Sequence, residues 1–417
     1  MSEFNFEGSV DNVGQGQLEF INKVIKEQNI KVKKITFEPV GKAGDNFAAN
    51  VRRIIIEGED RSLQLIAKIA PQNEVGRMLV KTTEVTMNEH IMYTEFLPKL
   101  QQMQIEAGVP EKDRLRYAKC YGSSTEYFQE IILLEDLKLS EFIILDKFVS
   151  LNDTCVRSVL KNLAILHSFS FVLKSREPET FDSFKNRFFD FVSSLALSED
   201  AENHIDQFRN TIVTVFDGDE ELKNKIKYIS QDMIALMTMS LNYDKYSVIL
   251  QADPWTNNFM FRFKEDQLLE SIMIDYQLSK NGNPVYDIMA LIFNCTDYET
   301  RSKHYFDWID YYHSELVASL SYFNLDGNVV YPRSQIDADI KRYANFLFGQ
   351  SFFACIIAMR AGDEALEMVD AMQNSKDYSA FANSIKTDKM KQESQAFIKQ
   401  KMVNILKSFE DFGLFQD

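Results

Sequence analysis

Three polar residues at the ends of apolar runs carry the clearest chemistry in this chain. Residues 248–261 read Val-Ile-Leu-Gln-Ala-Asp-Pro-Trp-Thr-Asn-Asn-Phe-Met-Phe: an apolar strand, a polar loop, then a second apolar strand. A further apolar run, Ser271–Ile274, ends in Asp275-Tyr276-Gln277. Strands therefore deliver Asp253, Asn258 and Asp275 to their ends. Asp-x4-Asn followed by a strand-terminal Asp suits phosphoryl transfer. One carboxylate receives or orients the proton of an attacking hydroxyl, while an amide oxygen and a second carboxylate hold Mg2+, a hard cation that prefers oxygen. Asp253 and Asn258 also suit a plain turn beside Pro254. The strand-then-Asp pattern recurring at Asp275 favours the chemical reading.

Phosphoryl transfer needs a phosphate grip upstream. Residues 41–48, with Gly41, Gly44 and Asn46, lie between two predicted strands, where glycines let backbone N–H groups approach phosphate oxygens. The segment is neither GxGxxG nor a Walker A loop, and taken by itself it fits an ordinary β-turn better. Lys68 sits inside the apolar run Leu65-Ile66-Ala67-Lys68-Ile69, where a lysine is costly unless paired. Glu89, on the following helix, is a natural partner, and the pair could aim the ammonium at the α/β-phosphates. A solvent-facing lysine on an alternating strand is the simpler alternative. Leu134, Glu135, Asp136 and Leu137 close an apolar strand, as a hinge reading an adenine edge would, or as a buried strand with a polar end would. His167, on an apolar helix, is expected to be a packed structural residue.

These residues need elements to position them. Strands are predicted at 33–40, 49–57 and 63–69, with Leu63, Leu65 and Ala67 on one face and Gln64, Ile66 and Lys68 on the other. A helix is predicted over 81–97, stopped by Pro98. Strands follow near 117–122 and 126–134. Beyond about residue 138 the pattern turns helical, over 154–172 and again at Ile398, Met402, Ile405 and Phe409, with Gly413 as a stop. Phe181, Phe184, Phe188 and Phe191 are spaced as a stripe on one helix. Strand-like sequence at 246–275 interrupts these helices. The fold class expected is α+β, a β-rich N-terminal lobe (1–137) and a larger helical C-terminal lobe (138–417).

In order along the chain, Gly41–Ala48, Ala67-Lys68, Glu89-His90-Ile91-Met92-Tyr93, Leu134-Glu135-Asp136-Leu137, Leu166-His167-Ser168, Asp253-Pro254-Trp255-Thr256-Asn257-Asn258 and Ile274-Asp275-Tyr276-Gln277 resemble the insect ecdysteroid kinase-like (CHK kinase-like) family, related to choline and aminoglycoside kinases. The resemblance runs from about residue 30 to the C-terminus. Asp-x-Trp-x-Asn-Asn and Ile-Asp-Tyr-Gln are its most specific parts, the Gly loop its least. It implies a two-lobed protein-kinase-like fold and transfer of phosphate from ATP, with Mg2+, onto a hydroxyl of a small lipophilic acceptor such as an ecdysteroid. By the resemblance, Asp253 is the catalytic base and Asn258 and Asp275 are the Mg2+ ligands. Lys68 is the ATP lysine held by Glu89, Leu134–Leu137 supply the hinge, and Asp287 is structural. One departure stands out: the family's catalytic loop begins His-Gly-Asp, whereas here it is Gln251-Ala252-Asp253. Gln can replace the histidine's hydrogen bonds. Ala is penalised if the backbone there needs φ > 0. The alternative is a catalytically silent kinase-fold protein that holds a lipophilic ligand. A cationic acceptor of the choline type would want an aromatic cage, for which Trp308 and Tyr311 are available.

Composition sets the wider limits. The chain has 417 residues, 45% of them hydrophobic, and 33 phenylalanines outnumber glycine and proline together. That excludes a disordered or low-complexity chain. The net charge of −16 argues against nucleic acid and anionic membranes as partners, so any anionic ligand needs local positive charge. The acidic start MSEFNFEGSVDN lacks the features of a signal peptide, and no membrane insertion is expected. Four cysteines without a CxxC pair point to free thiols and a cytoplasmic protein.

Overall fold

The computed structural model describes residues 4–41, 50–199, 201–216, 218–229, 237–238, 245–360, 362–374 and 390–415. The chain divides into two compact units. One comprises Met1–Pro98, Tyr117–Phe142 and Ala361–Ser384; the other comprises Lys99–Arg116, Ile143–Arg360 and Ile385–Asp417.

The first unit is built on a six-stranded sheet. Its strands are β1 (Phe6–Gly8), β2 (Val32–Pro39), β3 (Asn50–Gly58), β4 (Leu63–Ile69), β5 (Cys120–Ser124) and β6 (Ile131–Glu135), in the order β1-β2-β3-β4-β6-β5. Only β1 against β2 is parallel among these pairs. On β4, Leu65, Ala67 and Ile69 are buried, while Ile66 and Lys68 are only partly so, the expected alternation. The buried face joins Ile35, Phe37, Ile54, Ile56, Ile131 and Leu133 to Ile21, Val24 and Ile25 of the helix Gln15–Glu27. Burying such side chains is worth about 1.5–3 kcal/mol each. Neither β1 nor this helix was expected, although the spacing of Ile21, Val24 and Ile25 suits a helix face. The expected strands at 117–122 and 126–134 are shifted and shorter. Residues 126–129 turn instead, closed by the Gln129 N–H on the Glu126 carbonyl (2.8 Å).

Pro98 does not stop its helix. The helix Thr82–Ile91 passes through one wide π-turn, Met92–Phe96, into a further helix, Leu97–Glu106. In an ordinary α-turn the Pro98 ring would press on the carbonyl four residues earlier. The wider turn relieves that contact.

The second unit is mainly helical. The helices Asp153–Arg176 and Tyr298–Ser321 pack together. The first is long and apolar enough to cross a membrane by length and composition, yet 78% of that window is buried inside the protein. The phenylalanine stripe is split. Its helix is Pro178–Arg187, and Asp190 caps a new one, Phe191–Ala196, by accepting from the Ser193 N–H (3.0 Å). A cap that satisfies an orphan N–H outcompetes continuation of the helix. Phe181, Phe184 and Phe188 are buried all the same. The last long helix, Gln392–Asp411, buries Ile398, Met402, Ile405 and Phe409 as expected, with Gly413 at φ 62° beyond its end.

Two small antiparallel ribbons complete this unit: β7 (Val248–Leu250) with β10 (Lys280–Gly282), and β8 (Phe259–Lys264) with β9 (Gln267–Met273). The buried helix Val285–Cys295 follows β10. Asn283 fixes its start, accepting from the Val285 N–H (3.1 Å) and donating to buried Asp339 (2.8 Å).

Candidate active site

In the helical unit, strand register assembles the three polar residues. Phe259 pairs with Met273, and the Ile274 N–H donates to the Asn258 carbonyl (2.9 Å). Asn258 therefore lies across from the residue that precedes Asp275. Its Nδ2 donates to the Asp253 carbonyl (2.9 Å) and to Asp253 Oδ2 (2.8 Å). Asp253, Asn258 and Asp275, which span positions 253 to 275 of the sequence, form one group.

Asp287 holds the loop that carries Asp253. Its Oδ2 accepts from the Gln251 N–H (2.8 Å) and its Oδ1 from the Ala252 N–H (2.9 Å). His167 Nε2 lies 3.1 Å from Oδ2, and its Nδ1 lies 2.8 Å from the Tyr312 hydroxyl. Donation from Nε2 to the carboxylate and acceptance at Nδ1 satisfies all three groups. His167 and Asp287 are both fully buried, so His167 is the packed structural residue expected of it.

Gln251 bonds to both aspartate segments. Its Oε1 accepts from the Asp253 N–H (2.8 Å), and its Nε2 donates to the carbonyls of Asp275 (2.9 Å) and Ile274 (3.3 Å). One amide thus ties the two aspartate segments together. Ala252 has φ 67°, the region where its Cβ is penalised by about 1–2 kcal/mol. Asp275 has φ 60°, which aspartate tolerates better. The Asp287 bonds to the successive N–H groups of Gln251 and Ala252 hold the strained turn in place.

The carboxylates of this group crowd one another. Burial, and then the neighbouring Asp275 charge, push the Asp253 carboxyl from 3.8 up to about 7, against hydrogen bonds from Asn258 and Trp255. Such a carboxyl is poised to accept a proton near neutral pH. Asp275 and the Asn258 side-chain oxygen are hard donors, and a cation between them would offset the crowding. Among the described residues, no cluster of three or more His, Cys, Asp or Glu forms a self-contained metal site. That donor set suits Mg2+, which is held by one or two carboxylates together with substrate phosphates.

In the sheet unit, Lys68 Nζ lies 2.8 and 2.7 Å from the two carboxylate oxygens of Glu89, which is fully buried. The lysine is therefore paired, not merely solvated. Leu134 is buried at the end of β6, and the Glu135 N–H donates to the Lys119 carbonyl (2.8 Å). Asp136 is buried, accepts from the Lys138 N–H (3.2 Å) and pairs with Arg53 Nε (2.5 Å). Its side chain fixes the turn after β6, with Leu137 buried next to it. Gly41 has φ 84°, at the end of β2. Gly44 and Asn46 lie outside the described residues.

Trp308 and Tyr311 are otherwise engaged. The buried Trp308 indole donates to Asp153 (2.7 Å), and the Arg157 guanidinium covers Tyr311 at 4.9 Å. A pair that the sequence reading missed is Lys280–Asp190, joined at 3.0 Å and nearly buried. Neither residue sits in a periodic pattern that would have flagged it.

A model of the ecdysteroid kinase-like family matches residues 43–325. No curated protein matches the chain. Among solved structures it is similar to an ethanolamine kinase of Plasmodium vivax, with 13% identity over 91% of this chain and 90% of that one, at a TM-score of 0.44. It is also similar to an aminoglycoside 2'-phosphotransferase-IIIa mutant in complex with GDP (12%, 94% and 98%, 0.45). A third is the choline kinase LicA from Streptococcus pneumoniae (13%, 91% and 99%, 0.39).

Proposed function

The chain belongs to the ecdysteroid kinase-like family and is a small-molecule phosphotransferase with an alcohol group as acceptor; we propose that it uses ATP and Mg2+ to phosphorylate a lipophilic alcohol of the ecdysteroid kind. The observation that carries this reading is the group Asp253, Asn258 and Asp275, with one carboxyl raised to about 7.

In the proposed reaction Asp253 accepts the proton of the acceptor hydroxyl. The hydroxyl oxygen forms a bond to the γ-phosphorus as the bond from that phosphorus to the β,γ-bridging oxygen breaks, and ADP leaves. Asn258, through Oδ1, and Asp275 would hold Mg2+. When bound, the ion would neutralise phosphate charge. Lys68, held by Glu89, would contact the α/β-phosphates. Gly41, Gly44 and Asn46 would offer backbone N–H groups to the phosphates, and Leu134–Leu137 would read the adenine through their backbone. Gln251 and Asp287 position Asp253 without touching substrate. The same reading makes the protein cytoplasmic, in keeping with its four free cysteines.

The direct test is ADP release from ATP and Mg2+ across a panel of steroid and other lipophilic alcohols. Turnover that is acceptor-dependent and abolished by EDTA is expected. Thermal stabilisation by a lipophile but not by ATP and Mg2+, with no turnover of any alcohol, would instead favour a silent binding protein.

A further inference from the structure

The nearly buried Lys280–Asp190 pair lies in the same neighbourhood as the proposed base. Lys280 is 2% exposed and the Asp190 side chain 11%, with Nζ 3.0 Å from Oδ1. On β10, Lys280 pairs with Leu250, three residues before Asp253. Its ammonium also lies 4.7 Å from the centroid of the Tyr286 ring. Tyr286 directly precedes Asp287, and its phenol feels the charges of Asp190, Asp287 and Asp253 together. Asp190 is further bound by the Ser193 N–H (3.0 Å) and hydroxyl (2.6 Å).

We infer that the Lys280–Asp190 pair sets the charge of the acceptor, cancelling a carboxylate beside the reaction and so selecting an uncharged alcohol over a cationic one. The inference rests on the phosphotransferase reading above and deepens it. A cationic acceptor needs either an uncompensated carboxylate or a free aromatic face. In that reading Asp275 would be engaged by Mg2+ and Asp253 by the hydroxyl proton, and Asp190 is already neutralised by Lys280. Lys280 itself occupies the face of Tyr286, and its positive charge repels a second cation. A buried ion pair is often no more stabilising than apolar residues of the same size, so stability alone is a weak reason to keep one.

Choline and neohexyl alcohol (its tert-butyl isostere) have the same shape and differ only in charge. Their turnover with ATP and Mg2+ is compared in the full-length protein and its variants, and their binding is read separately by ligand-observed NMR. The wild type is expected to bind and phosphorylate neohexyl alcohol in preference to choline by about tenfold or more. Lys280→Met should erase or invert that preference, and Lys280→Met/Asp190→Asn should restore it. If Lys280→Met does not fold, Asp190→Asn serves alone and must still reject choline. An unchanged preference in Lys280→Met, choline bound better by the wild type or admitted by Asp190→Asn, or no binding of neohexyl alcohol would overturn the inference. Preferential binding of neohexyl alcohol without any turnover would leave the inference standing and overturn the kinase reading.

Discussion

Two buried clusters, one in each unit, treat charge in opposite ways. In the sheet unit, Lys68 and Glu89 neutralise one another at 2.7–2.8 Å, and Arg53 does the same for Asp136. In the helical unit, Asp253 is crowded by Asp275 and rises to about 7, and its loop runs through a strained Ala252 at φ 67°. The first arrangement is a finished ion pair that holds a cation in one place. The second is different: Asp287 and Gln251 hold its strained loop, while the Asp253 charge is opposed by burial and by Asp275 and eased by hydrogen bonds from Asn258 and Trp255. A site that positions a group can be closed by itself, whereas a site that accepts charge during reaction must leave some interaction unmade.

The contrast can be broken most severely at Asp253. Asp253→Asn keeps the Asn258 contact region but removes the proton acceptor. Acceptor-dependent ADP release should fall by about 10²–10⁴-fold, with little loss in melting temperature. Unchanged turnover would sink the base assignment.

Lys68 should behave differently. Lys68→Met takes the ammonium from the fully buried Glu89, which should destabilise the protein by about 3–5 kcal/mol in denaturant titrations. Lys68→Met/Glu89→Leu should recover most of that stability while turnover stays low. If the double variant is no more stable than the single one, the pair is not the self-contained unit described here.

The two carboxylates of the helical unit also predict opposite pH slopes for the metal-free protein. The folded-state value of Asp253 is raised, so its contribution to stability is full below 3.8 and is lost as pH rises through about 7. For Asp190, burial raises the carboxyl, but the Lys280 ammonium and the Ser193 hydrogen bonds outweigh it and hold the group below the ordinary value. Its contribution is present above that ordinary value and is lost as pH falls through the folded one. Chemical denaturation across pH should therefore show a loss on the neutral side that Asp253→Asn removes and a loss on the acid side that it leaves.

The smallest effect is expected at Ala252. Relief of about 1–2 kcal/mol of left-handed strain, less about 0.5–1 kcal/mol for glycine's greater unfolded freedom, leaves Ala252→Gly more stable by about 0.5–1 kcal/mol. A lower melting temperature would show that the Ala252 side chain is needed for packing there.

Much of this site was legible before any coordinates, because local pattern carries it. The alternation of Leu63–Ile69 put Lys68 opposite the buried face, and the apolar runs before Asp253 and Asp275 marked strand ends. The departure at Gln251-Ala252 raised the question of positive φ, and the backbone answers it. Expectations failed where a local cue was overridden. A π-turn absorbed Pro98, and the Asp190 cap split a phenylalanine stripe whose members are mostly buried anyway.

Residue types and their spacing marked the groups available for chemistry: which carboxylates are able to take a proton, which donors suit a hard cation, and which lysine needs a partner. Those properties follow from functional groups and strand or helix period, which are local. Tertiary structure alone decided that Gln251 ties Asp253 to Asp275, that Asp287 restrains a strained peptide, and that Lys280 cancels Asp190. Each of these depends on groups distant in sequence meeting at hydrogen-bond range inside a poorly solvated interior. There, a contact of about three ångströms governs both protonation and strain.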